Sequence, residues 1–249
     1  MGRFPVLKEA EEFYYPGNDI GILILHHFSG STHSTRYIGG QLADQGFTVY
    51  GPRLTGHGKC PEDLEKATCN DWIRDVEEGL EKLRERCSKL FVAGLSMGGT
   101  LSLYLSEQHA NISGVIPINP VIDLPGLRQK YIQSKNKGVR FIGENGPMLQ
   151  TEIKEVADSR TPVQAIKELL TLMEKVKKNL HKIRVPALIF SSVHDRVVPP
   201  ENAEFVYYSI SSRDKTIFFL KNSGHVATLD HDKDLIADQC IRFINSLTG

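Results

Sequence analysis

The sequence predicts an α/β fold, a mostly parallel, doubly wound sheet that carries a small helical insertion as a cap. Three observations predict it. Six short apolar runs, several rich in β-branched residues, recur along the chain. Helical patterns separate most of them. One glycine-rich junction, GLSMGG at residues 94–99, joins an apolar run directly to a helical one. Runs this short and apolar on both faces suit central strands of a parallel sheet. Strand–helix alternation winds such a sheet with right-handed crossovers.

The expected strands are 20–25, 47–50, 90–93, 114–118, 187–191 and 216–220, the second preceded by a Gln45-Gly46 turn. A helix over 70–86 places Trp72, Ile73, Val76, Leu80 and Leu83 on one stripe, with Asn70 and Asp71 as capping candidates. Further helices are expected over 97–106, 201–210 and 232–246. Between about 120 and 183 no strand is expected. There Val163, Ile166, Leu169, Leu170, Met173 and Val176 fall at helical spacing over 162–180. An insertion that long between two strands usually serves function, often as a lid. The expected organisation is a core of residues 1–119 and 184–249 and a cap of residues 120–183.

The 249 residues, 40% of them hydrophobic, suffice for one sizeable core. Thirty basic residues balance thirty acidic ones, so no surplus charge draws the chain to nucleic acid or anionic lipid. Residues 1–15 lack the apolar core of a signal peptide, and no apolar run approaches the roughly 20 residues of a membrane span. A soluble, cytoplasmic protein without stable membrane insertion is expected. Four cysteines without a CxxC pair read as reduced thiols, and a Cys60–Cys69 bridge is not required.

Gly94-Leu95-Ser96-Met97-Gly98 fits G-x-S-x-G in the strand–turn–helix context that this motif needs. The turn is sharp enough to favour glycine beside the serine. It sets the hydroxyl at the carboxyl end of the sheet, beside a helix N-terminus. A serine hydroxyl is a poor nucleophile until a base takes its proton. The expected chain order is serine, acid, histidine. Asp195, after the fifth strand, and His225, after the sixth, meet that order at the same sheet edge. Among the competitors, His194 adjoins Asp195 and projects away from it, and Asp214 precedes a strand at the wrong edge. Asp230, His231 and Asp232 read as a cap for the last helix, and His109 and His181 as surface residues. His57 reads as the pin of a loop. His26 and His27 are neighbours whose side chains diverge, and no HExxH occurs, so no metal site is expected. No cofactor is expected either.

The segments PVLKEAEEFY, PRLTGHG, GLSMGGTL, PINP, PALIF, VVPPENA and HVATLD give the chain a specific resemblance to bacterial monoacylglycerol lipases of the α/β-hydrolase superfamily. Small bacterial carboxylesterases share the GLSMGG-like and GHV-like stretches. The resemblance implies Ser96 as nucleophile, Asp195 as acid and His225 as base, with the N–H groups of Phe28 and Met97 as oxyanion hole. It implies that residues 120–183 cover a tunnel for one acyl chain; His27 and Ile142 are further substrate-binding candidates. Lys154-Glu155 matches the family's cap pair, which makes Glu155 the candidate for the glycerol head group. One departure stands out: the family reads HGF where this chain reads His26-His27-Phe28. A histidine in place of a positive-φ glycine would strain the loop. The implied partner is a small lipid ester, a monoacylglycerol, and the implied assembly a monomer or homodimer. The alternatives are a broad short- and medium-chain carboxylesterase and a non-catalytic receptor on the same fold.

Overall fold

The computed structural model describes residues 5–143 and 160–249. In chain order the strands are β1 (Phe13–Tyr15), β2 (Ile20–Leu25), β3 (Thr48–Gly51), β4 (Lys89–Leu95), β5 (Gly114–Ile118), β6 (Phe141–Gly143), β7 (Arg160–Pro162), β8 (Ala187–Ser192) and β9 (Lys215–Leu220). The helices are α1 (His33–Asp44), α2 (Pro61–Leu64), α3 (Cys69–Arg84), α4 (Met97–Gln108), α5 (Pro125–Asn136), α6 (Val163–Lys177), α7 (Glu201–Ser209) and α8 (Lys233–Thr248).

Among the described residues, seven strands form one sheet in the order β1-β3-β2-β4-β5-β8-β9. All pair in parallel except β1, which runs antiparallel to β3 at one edge. Alternation along the strands feeds two cores. Leu23, Leu25, Val92 and Val115 face α3, α4, α6 and α7. Ile22, Ile24, Phe91 and Ala93 face α1 and α8. All six expected strands are present, with ends shifted by a residue or two.

Three features depart from the sequence reading. The edge strand β1 and helices α1, α2 and α5 carry no strong periodic signal and were not foreseen. The insertion, expected to hold no strand, contains the two-stranded antiparallel pair β6–β7, too short at three residues each to show a period of two. The cap of α3 is Thr68, whose Oγ1 accepts from the Asp71 N–H, while the Asp71 carboxylate accepts from the Thr68 N–H. Asp71 thus completes a capping box instead of starting the helix.

The insertion is not uniform. Helix α6 sinks Ala165, Ile166, Leu169, Leu172, Met173 and Val176 into the same core as α3 and α4. Its Glu168, 9% exposed, accepts from the Cys69 N–H at the start of α3, where a carboxylate meets the positive end of the helix dipole. Helix α5 buries little, Ser134 alone being buried. Glu155 lies outside the described residues.

The four cysteines are free thiols. Burial pushes Cys240 up to about 12, leaving it unreactive.

Candidate active site

The turn after β4 holds Ser96 at φ 55° and ψ −113°, a conformation costly for a non-glycine residue. Its neighbours explain why the strain persists. A Cβ on Gly94 would meet the Gly98 carbonyl oxygen at 2.2 Å, and one on Gly98 would meet the Leu25 carbonyl oxygen at 2.1 Å. Only glycine lets β4, α4 and the end of β2 approach this closely. Ser96 is 5% exposed and opens onto a cavity of about 490 Å³.

His225 lines the same cavity. Its Nδ1 lies 2.7 Å from Asp195 Oδ2, both side chains almost fully buried. The other carboxylate oxygen, Oδ1, accepts from the N–H groups of Val197 and Val198, each at 2.8 Å. The carboxylate is thereby fixed in orientation. With Nδ1–H given to Asp195, Nε2 is the ring nitrogen able to accept a proton.

The loop 221–225 is held from behind. Asp232 accepts from Asn222 N–H (2.9 Å), Asn222 Nδ2 (2.9 Å) and Ser223 Oγ (2.8 Å), and Asp230 accepts from the Gly224 N–H (2.8 Å). Burial pushes the Asp232 carboxyl upward, but the bonds from Asn222 and Ser223 outweigh it and hold the group below the usual carboxylate range. Asp232 occupies the N-cap position of α8 without bonding the helix N–H groups. The helix-cap role expected for these aspartates is therefore replaced by one in the histidine loop.

On the opposite wall, the loop after β2 is pinned by two buried histidines. His26 Nε2 accepts from the Leu54 N–H (3.2 Å), so its Nδ1–H donates to the His27 carbonyl (2.9 Å). That carbonyl shares a trans peptide with the Phe28 N–H, which therefore points the opposite way. His57 Nε2–H donates to the Phe28 carbonyl (2.8 Å), fixing the next peptide. Burial, chiefly, keeps both rings neutral: His26 is held well below its ordinary value, and His57 is lowered to about 4 despite the backbone carbonyls that face its ring nitrogens as acceptors. The two rings meet edge to face at 4.8 Å. The loop-pinning role read for His57 is the one it fills.

Phe28 lines the cavity, and buried Met97 opens α4, where the first N–H groups have no helical partner. His27 lines the cavity, and its ring stands edge-on to His225 at 6.4 Å. Its expected strain is absent: among the described non-glycine residues, positive φ is confined to Ser96 and Asn119. Ile142 lies on the cavity wall with Leu124, Leu127, Ile166, Leu169 and Val198. His194 is exposed, and Asp214 precedes β9, away from the site. Sequence reasoning missed Asn119 and the anchoring work of Asp230 and Asp232. The signal for Asn119 was a strand ending in Asn-Pro, since asparagine tolerates positive φ.

An elbow serine at the carboxyl edge of a mostly parallel sheet, with a histidine–aspartate pair on the loops of the following strands, defines an α/β-hydrolase. The chain belongs to the Hydrolase_4 family (serine aminopeptidase, S33), whose model matches residues 18–232. It is 42% identical over 248 residues, 99% of both chains, to a thermostable monoacylglycerol lipase of Bacillus sp. (strain H-257). It is 30% identical to a carboxylesterase of Bacillus subtilis (strain 168), over 94% of this chain and 96% of that one. A solved structure described with LipS and LipT, two metagenome-derived lipolytic enzymes, superposes with a TM-score of 0.93 at 39% identity, covering 97% of this chain and all of the other. Among the described residues, no helix is long and apolar enough to cross a membrane.

Proposed function

We propose that this carboxylic ester hydrolase is a monoacylglycerol lipase, cleaving a single-chain acylglycerol to glycerol and fatty acid through an acyl-enzyme. The observation that carries the reading is one largely apolar cavity of about 490 Å³ onto which Ser96, His225, Phe28 and the apolar side chains of the insertion all open. That size falls within the roughly 300–1,000 Å³ of small-molecule sites. The 42% identical lipase, matched almost end to end, supports it.

In this reading His225 Nε2 takes the Ser96 Oγ proton as Oγ attacks the ester carbonyl carbon. The N–H groups of Phe28 and Met97 hold the oxyanion, and Asp195 stabilises the imidazolium. Collapse breaks the ester C–O bond, and His225 returns the proton to the departing glycerol oxygen. Water, deprotonated by the same ring, then attacks the acyl carbon and releases the fatty acid. Residues 120–183 act as the cap over the acyl chain, with Ile142 and His27 at its walls and Glu155 at the glycerol. Substrate is a small lipid ester and the working compartment the cytoplasm.

A broad carboxylesterase is the second reading, favoured by the 30% identical relative. pH-stat hydrolysis of 1-lauroylglycerol, dilauroylglycerol and methyl laurate separates the two. Selective turnover of the monoacylglycerol is expected, and equal turnover of methyl laurate would make the enzyme a general esterase. Ser96→Ala is expected to lower kcat by on the order of 10⁴- to 10⁶-fold. Unchanged hydrolysis in that variant would refute the nucleophile.

A further inference from the structure

Ser96 (φ 55°) and Asn119 (φ 44°) are the positive-φ residues among the described non-glycine ones. They are neighbours. Leu95 of β4 pairs with Ile118 of β5, and the Ser96 N–H donates to the Ile118 carbonyl at 2.8 Å. The two strained residues therefore leave the sheet side by side. The elbow accounts for the strain at Ser96. At Asn119 the strain needs an account of its own, since such conformations persist only where their surroundings hold them.

The side chain supplies it. Asn119 is 4% exposed. Its Oδ1 accepts from the Ser192 N–H at 2.7 Å, and its Nδ2 donates to Ser192 Oγ at 3.0 Å. The same Nδ2 donates to the His225 carbonyl at 2.8 Å and lies 3.5 Å from the Gly224 carbonyl. Ser192 ends β8, and its carbonyl accepts from the Asp195 N–H at 3.2 Å. One amide thus touches the loop that carries Asp195 and the loop that carries His225, 73 and 106 positions away in the chain. Its own backbone is fixed to the strand beside Ser96.

We propose that Asn119 is a positioning residue that locks the Asp195 and His225 loops in register with the elbow, so that the 2.7 Å contact between them forms where Ser96 can use it. The inference rests on the reading that these three residues act together. Asn119 does not touch the reacting atoms. It acts through the His225 backbone and through Ser192.

Two variants test it. Asn119→Gly keeps the positive φ at no steric cost and lacks the amide. Asn119→Asp keeps the shape and the acceptor for Ser192 N–H and lacks the donor to the His225 carbonyl. Both are assayed on 1-lauroylglycerol for kcat and KM, and by proton NMR for the downfield signal of the His225 Nδ1–H bonded to Asp195. The expected result is a kcat lower by roughly 10- to 100-fold, the loss expected from ångström-scale misplacement. KM should stay within about twofold, and the downfield signal should broaden or move. Wild-type kcat with an unmoved signal in either folded variant would overturn the proposal, since the backbone conformation alone would then suffice. Should Asn119→Gly fail to fold, the near-isosteric Asp variant decides. Ser96→Ala runs alongside. If it stays active the functional reading fails, whereas an inactive Ser96→Ala beside fully active Asn119 variants refutes the clamp alone.

Discussion

The two halves of the site are held by different means. The elbow is held by backbone against backbone: Gly94 and Gly98 leave no room for a Cβ, and the serine between them has nowhere else to go. The histidine loop is held by side chains from elsewhere, with Asn119, Asp195, Asp230 and Asp232 all reaching into residues 222–225. The elbow is a steric device written within six consecutive positions. The histidine loop is a polar network assembled by the fold. The difference teaches why one half is a readable motif and the other is not: close approach restricts residue type locally, whereas a hydrogen bond needs only a partner, wherever the fold brings one.

Each half can be broken in its own way. The largest effect is expected at the elbow, for Gly98→Ala. The new Cβ would stand 2.1 Å from the Leu25 carbonyl oxygen and 2.8 Å from that of His26, both backbone atoms. We expect a loss of about 3 kcal/mol by urea denaturation; a loss below 1 kcal/mol would show that the elbow can relax. Next comes His57→Phe, which frees the Phe28 peptide. Turnover should fall about 10²-fold, the scale of a lost oxyanion donor, with KM little changed. Retention of full kcat would mean that His26 alone aligns the loop.

Asp232→Ala probes the polar half and should cost about 2 kcal/mol, because it strands the buried Ser223 hydroxyl and releases the Asn222 backbone and side chain. The pH dependence gives a sharper test. The folded-state carboxyl titrates below its ordinary range, so its contribution is fully present above the unfolded-state value and is lost as pH falls through the lowered folded one. The stability difference between wild type and variant should hold from neutral pH down to the ordinary carboxylate range and shrink only below it. A difference that grew with acidification would contradict this. Last and smallest, Thr68→Ala removes the α3 cap. It should cost about 1 kcal/mol and leave ester turnover unchanged; a fall in turnover would tie α3 to the site through Asp75 and Trp72, which bind Thr55.

Much of this was legible in the sequence. Five of the six expected strands announced themselves as apolar runs because both faces of the sheet cover them; β9, at the open edge and only partly buried, showed through its own apolar run instead. Ser96 showed through its glycines, and Asp195 and His225 through their places after consecutive strands. The edge strand β1 and the pair β6–β7 did not show, being three residues long. Helix α1 did not show because HSTRYIGGQLAD mixes small and polar residues that only packing against α8 and β3 makes helical. The aspartates at 230 and 232 looked like helix caps because they precede a helix, and the loop out-competes the helix for their oxygens. His27 looked strained because the resemblance implies a glycine at its position, yet its backbone keeps out of the positive-φ region.

The sequence by itself determined the sheet, the elbow and the order of the three candidate residues, since each leaves its signal within a few consecutive positions: apolar periodicity, glycines around a serine and turn chemistry. Only the tertiary structure decided how those residues are aimed. The tautomer of His26, the turn of the Phe28 peptide and the joining of two loops by Asn119 depend on atoms brought together from 28, 29 and 106 positions apart. Hydrogen bonds are directional but carry no sequence spacing, so their partners become visible only once the chain has folded around them.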